Sequence, residues 1–150
     1  MILSTRGRYG LKMMLELALN YGKGAMSLKD IANKQSLSDT YLEHLISPLR
    51  KNGLVNSTRG AQGGYELAKP PNEIKAGDVI RVLEGSLAPA KCVLEDEPEC
   101  SNADYCATRL LYEKITESIN NVIDSISLQD MVDDYYTLNN TNVKRRSENE

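Results

Sequence analysis

The sequence predicts a mainly α protein with one small β-hairpin and a long helix beyond it. Three observations carry that prediction. Apolar residues recur at helical spacing behind serine caps, two short strand-like runs flank a glycine-rich turn, and a late apolar stripe has little chain left to cover it. The 150 residues include eight Tyr but no Phe or Trp, so the core must be mostly aliphatic with some Met. That length fits one ordinary domain, or a small domain whose extension needs a partner.

From Thr5 to Asn20, Tyr9, Leu11, Met13, Leu15, Leu17 and Ala18 mark a helix buried on most of its circumference, ended by Gly22 and Gly24. Ser27-Leu28-Lys29-Asp30 reads as a capping box opening a short helix through Ile31 and Ala32. Ser38 is placed to cap a third helix carrying Tyr41, Leu42, Leu45, Ile46 and Leu49, and Gly53 stands where its end wants a left-handed residue. Pro48 removes one amide from that helix and should bend its last turn. Two short capped helices around a tight turn suggest a helix-turn-helix.

Leu54–Thr58 and Gly64–Ala68 are strand-like, and the three glycines in and beside Arg59-Gly60-Ala61-Gln62-Gly63 permit a tight hairpin. A basic hairpin directly after a recognition-type helix is a wing; an ordinary surface hairpin would leave that order and the tip Arg59 unexplained. Pro70-Pro71 closes the domain, and Ile74–Leu83 forms one more amphipathic helix. A long helix from Ala107 to Ile126 carries Leu111, Ile115, Ile119, Val122 and Ile126 as one stripe, expected to pair with a symmetry mate. Ser127-Leu128-Gln129-Asp130 is a second capping box, opening a short helix. The predicted organisation is therefore a winged helix-turn-helix domain over 1–84, a cysteine-bearing sensor loop over 85–106, dimerisation helices over 107–138 and a polar, disordered tail over 139–150.

Charge separates the two halves. Residues 1–70 hold ten Lys/Arg against five acids, whereas residues 71–150 hold eight against sixteen, although the whole chain is only −3. A basic head on an acidic body suits phosphate binding by the head and another role behind it. No apolar run approaches a membrane span and Met1–Arg6 has no signal-like apolar region, so a cytoplasmic protein is expected. No nucleophile–base pair, phosphate-binding glycine loop or His-rich metal constellation supports an enzyme.

Ser4-Thr5-Arg6-Gly7-Arg8-Tyr9-Gly10, Tyr41-Leu42-Glu43, Leu49–Val55 and Arg59–Tyr65 together resemble the Rrf2 family of bacterial regulators, the IscR, NsrR and CymR type. The resemblance spans roughly residues 1–135 and extends to Gly77–Ile80 and Ser127-Leu128. It implies a homodimer that binds a double-stranded DNA operator, with the third helix in the major groove and the wing at the minor groove. In this sequence Ser38, Thr40, Tyr41, Glu43 and His44 are the candidate base-reading residues, with a core role as the alternative for Tyr41. Glu43 can accept from a cytosine amino group and would repel phosphate. Arg59 suits a narrow, electronegative groove. His44 is the only histidine, and its position favours DNA contact over metal ligation.

Cys92, Cys100 and Cys106 lie within 15 residues, an odd count that argues against a disulfide framework. Thiolates are soft ligands, so the trio suits an iron–sulfur cluster, zinc, or a metal-free thiol switch. IscR-like family members hold an iron–sulfur cluster with three cysteines of this loop, which ranks the cluster first and favours the 2Fe–2S form. The resemblance then implies a repressor of iron–sulfur cluster assembly or related genes, with a CymR-like regulator of cysteine and sulfur metabolism as the alternative. The chain departs from the pattern at the fourth ligand: Arg109 stands where IscR has histidine, and Arg8 where NsrR-like proteins offer an acid from the other subunit. Candidates are Glu99, Asp104, an exogenous thiol or water, or a group from the partner. Glu95, Asp96, Glu97 and Glu99 would raise the thiol pKa values in the empty loop.

Overall fold

The computed structural model describes residues 2–94 and 100–149. Helices α1 (Thr5–Leu19), α2 (Leu28–Gln35) and α3 (Asp39–Lys51) form the N-terminal part. Ser27 Oγ accepts the Asp30 amide and Ser38 Oγ the Tyr41 amide, both at 3.1 Å, so each serine fixes its helix start by satisfying a free N-terminal donor. At Ser27 only this serine half of the expected box forms. Helix α3 continues through Pro48, whose carbonyl accepts from both the backbone and side-chain nitrogens of Asn52, at 3.1 and 2.8 Å. Gly53 follows at φ +76° and turns the chain into the hairpin.

Strands β1 (Val55–Thr58) and β2 (Gly64–Leu67) pair antiparallel, Val55 opposite Leu67 and Thr58 opposite Gly64. The hairpin has a third member that the sequence did not reveal. Met26 exchanges both backbone hydrogen bonds with Tyr65, at 2.8 and 2.7 Å, bridging the α1–α2 connection to β2. Gly64, at φ +151°, passes so close to the Met26 carbonyl that a Cβ would collide with it.

A short 3-10 turn at Pro71–Glu73 leads to α4 (Ala76–Glu84), followed by α5 (Ala107–Ser125) and α6 (Leu128–Glu148). Ile74, expected as the first residue of α4, instead lies extended and fully buried, its carbonyl accepting the Leu128 amide at 2.9 Å. The core gathers Met13, Met14 and Leu17 of α1, Ile31 of α2, Leu42, Leu45 and Leu49 of α3, and Val79 of α4, all at most 1% exposed. Burying such side chains contributes roughly 1.5–3 kcal/mol each before conformational entropy is set against it.

Leu128 and Val132, at the start of α6, sit in the N-terminal core, so the 107–138 segment is packed onto the head. One expectation changes here. Helix α6 runs to Glu148, where a disordered tail was expected from 139. Low hydrophobicity suggested disorder, but the segment contains neither Pro nor Gly, and it continues a helix already nucleated by the complete Ser127–Asp130 box. Arg145 and Arg146 complement the C-terminal end of its dipole.

Helix α5 has no buried residue among those described; Leu111, Val122 and Ile126 of the stripe read from the sequence are exposed, while Ile115 and Ile119 are half-buried. It is fastened to α4 by Arg81, whose guanidinium donates to both Asp124 carboxylate oxygens at 2.7 Å and to Asn120 at 3.1 Å. The hydrogen bond to Arg81 holds the Asp124 carboxyl below its usual pKa, with the cation's charge adding to it. Gly77 permits this approach, because a Cβ there would meet Asp124 and Arg81.

Candidate functional site

The amphipathic pattern of α3 determines what it can present. Leu42, Leu45, Ile46 and Leu49 face inward, so Thr40, Glu43, His44, Arg50 and Lys51 are left on the exposed side. Ser38 is exposed, but its hydroxyl oxygen is already engaged as the cap; it retains its own proton to donate. Tyr41 is half-buried and packs edge-on against Tyr9, centroids 5.7 Å apart, with the Lys12 ammonium 5.6 Å from the Tyr9 ring centre. It therefore serves as core edge and surface at once, and it brings α1 cations beside the α3 face.

Arg59 is exposed at the hairpin tip. Gly60 at φ +108° and the Gly63 amide donating to the Gly60 carbonyl at 3.0 Å make the tight turn that projects it. The wing and α3 are tied through Arg50, whose guanidinium reaches Ser57 Oγ at 3.5 Å. Sequence reasoning passed over Arg50, although a basic residue in the last turn just before a wing was the available signal. The α3 face and the wing tip thus form one polar surface carrying Arg50, Lys51 and Arg59.

The cysteines lie elsewhere, between α4 and α5. Cys92 belongs to a short 3-10 turn (Lys91–Val93) and is half-buried, Cys100 is exposed, and Cys106 immediately precedes α5 as its N-cap residue. Among the described residues no three His, Cys, Asp or Glu side chains converge as metal ligands, so the trio is not gathered in this structure. Asp104 is exposed in a second 3-10 turn (Ala103–Tyr105). Glu99, the other candidate ligand, and Glu95, Asp96 and Glu97 lie outside the described residues.

Cys106 Sγ lies 3.1 Å from Thr108 Oγ1. That hydrogen bond, then the Arg109 backbone amide, hold the thiol below its ordinary pKa, with a smaller contribution from the Arg109 charge. A raised value was expected from the loop's acids, which lie outside the described residues; at Cys106 the described neighbours act in the opposite direction. The donor chemistry fits a soft-metal or iron–sulfur group, because the ligating form of cysteine is the thiolate. Arg109 cannot supply a fourth ligand; its Nε is buried, 3.7 Å from Glu113 and without a hydrogen bond among the described residues.

A family model named Rrf2 and described as an iron-dependent transcriptional regulator matches residues 3–134. The chain is 48% identical over 131 residues to the HTH-type transcriptional regulator CymR of Bacillus subtilis, covering 87% of this chain and 89% of that protein. It is 39% identical over 139 residues to IscR of Pectobacterium atrosepticum, covering 93% and 84%. Among solved structures, CymR of B. subtilis superposes with a TM-score of 0.75 at 49% identity, covering 89% of this chain and 97% of that one. IscR of T. potens gives 0.74 at 48%, covering 90% and 88%.

Proposed function

The chain belongs to the Rrf2 family of DNA-binding transcriptional regulators, and from that premise we propose that it is a cytoplasmic, homodimeric repressor whose cysteine loop carries an iron–sulfur cluster. The observation that carries the finer reading is the placement of Cys106, a thiol eased toward thiolate at the N-cap position immediately before the helix bearing the exposed apolar stripe. The family model's description as iron-dependent supports the same reading.

In this proposal Thr40, Glu43 and His44 read base edges from α3, Ser38 and Tyr41 line the same groove, and Arg59 enters the minor groove. Arg50 and Lys51 neutralise phosphate at the end of the helix, which gives affinity without sequence preference. Leu111 and Val122, with half-buried Ile119 between them, pair with their copies in a second chain, removing apolar surface that one chain leaves in water.

Cys92, Cys100 and Cys106 would hold the cluster, which supplies one-electron redox chemistry when bound. Ligation would require the loop to draw the three thiols together. Because Cys106 caps α5, and Arg81 ties α5 to α4, a change in that segment biases how the dimer helix starts and hence how the two heads are spaced.

A second reading is favoured by one observation: the lowered Cys106 thiol suits a metal-free thiol sensor, and the similar B. subtilis structure is described as a global cysteine regulator. Purification without oxygen separates the two. The cluster reading expects coloured protein containing iron and acid-labile sulfide, both lost on Cys92→Ala, Cys100→Ala or Cys106→Ala. Metal-free protein whose operator affinity changes with Cys106 oxidation would establish the thiol reading. Colourless protein with one zinc per chain would overturn both.

A further inference from the structure

Away from the DNA surface and the cysteine loop, a cleft of about 450 Å³ opens between the end of α1, α2 and the middle of α6. Its size falls in the range of about 300–1,000 Å³ typical of small-molecule sites. At its wall is Glu16, only 7% exposed and the one charged residue in the buried set of the described residues. Nothing in the DNA-binding or cysteine chemistry uses it.

The carboxylate of Glu16 is incompletely satisfied. Gln35 Nε2 donates to Oε1 at 2.6 Å, but Oε2 has only the Lys34 ammonium at 3.9 Å, beyond hydrogen-bond reach, on a side chain 59% exposed. Oε2 is not among the buried unpartnered atoms of the described residues, so it faces the solvent of the cleft and keeps acceptor capacity open to a ligand. Asn20 is a second acceptor on the same wall. Its Nδ2 is committed to the Gly24 carbonyl at 3.0 Å, which leaves Oδ1 without a donor among the described residues. The wall therefore asks for a group rich in N–H donors and positively charged.

The rim asks for the opposite charge. Lys23 and Lys34 both line the cleft, which disfavours a polyamine and favours an anionic group on the same ligand. Across from them stand Tyr135 and Tyr136 of α6, 38% and 50% exposed and set edge-to-face at 5.5 Å. Such rings offer apolar faces to a side chain and attract a nearby ammonium.

The geometry points to a binding site for a free α-amino acid in the cleft between α1, α2 and α6, its ammonium taken by Glu16 and Asn20 and its carboxylate by Lys23 and Lys34. An occupant would link α2, the first helix of the helix-turn-helix, to the C-terminal helix through Lys34 on one side and the tyrosines on the other.

Isothermal titration calorimetry of the full-length protein tests this without DNA, so its outcome is independent of the regulator reading. L-methionine and L-phenylalanine should bind. N-acetyl-L-methionine, which lacks the ammonium, and L-methionine methyl ester, which lacks the carboxylate, should each bind at least about tenfold more weakly, as should Glu16→Gln with L-methionine. Should Glu16→Gln fail to fold, Lys23→Gln and Tyr136→Ala change exposed residues and must each weaken L-methionine severalfold. Absence of binding by both amino acids at millimolar concentration would overturn the assignment. So would equal binding of the acetylated or esterified compound, or wild-type affinity in folded Glu16→Gln.

Discussion

Replacing Leu128 by Ala asks whether the C-terminal helix is structurally part of the DNA-binding head. Leu128 is 0% exposed and shares one core cluster with Met13, Leu17 and Ile74. Its amide is fixed to the Ile74 carbonyl at 2.9 Å and the helix start is pinned by the Ser127–Asp130 box, so the backbone has little freedom to collapse into the space left. Truncation then loses the transfer free energy of the side chain and leaves a cavity, for a cost of about 2–5 kcal/mol. Leu138 provides the control on the same helix, because it is 65% exposed and the same change there should stay within about 0.5 kcal/mol. The gap between the variants corresponds to more than about tenfold in the folded-to-unfolded ratio. Urea unfolding followed by far-UV circular dichroism reads it, at one protomer concentration because association shifts the midpoint. Equal midpoints for the two variants would refute the reasoning, since α6 would then lie outside the cooperative core.

Arg59→Ala should weaken operator binding by about 1–3 kcal/mol while leaving the unfolding midpoint unchanged; unaltered affinity at moderate salt would remove Arg59 from the interface. Val122→Asp places an unpaired charge in the proposed dimer seam at a position 56% exposed in one chain, so it should fold and sediment as a monomer; a persistent dimer would locate the interface elsewhere. Asp124, whose carboxyl is held low by Arg81, stabilises the folded state above the unfolded carboxyl pKa of about 3.9 and loses that contribution as pH falls through its lower folded value. The stability difference between wild type and Asp124→Asn should therefore be about 1 kcal/mol or less at pH 7, because the pair is solvent-screened, and should vanish in acid. A difference independent of pH would assign it to packing at Gly77 instead.

Features encoded within a few residues were legible from sequence, and those encoded by distant pairing were not. Ser38 and Ser127 announced their helices because a hydroxyl and an amide three residues apart meet whenever the helix forms. The inward face of α3, and with it the outward set Thr40, Glu43 and His44, followed from spacing alone. By contrast, the pairing of Met26 with Tyr65 joins segments far apart in the chain, and neither carries a local sign of it. Helix α6 was misjudged at its far end, which lacks the breaker that disorder would need, and the burial of its start against the N-terminal core carried no local sign. The three cysteines were recognisable as a set, yet proximity in sequence did not bring their sulfurs together. Glu16 was hidden in an apolar pattern, where a single acid reads as an interruption of the buried face.

The Met26–Tyr65 bridge limits how this chain can change length over evolutionary time. Most surface connections accept insertions because nothing depends on their path. Here the α1–α2 connection is also an edge of the sheet, so an added residue would shift the partner of Tyr65 by one and turn side chains to the opposite face. Gly63 is equally constrained, since a Cβ there would meet the Thr58 carbonyl. Within the hairpin, growth is admissible at 59–62, where the backbone is exposed and no long-range partner is engaged. Descendants of this sequence can therefore lengthen the fingertip that reaches toward DNA, while the distance between that finger and the reading helix stays fixed.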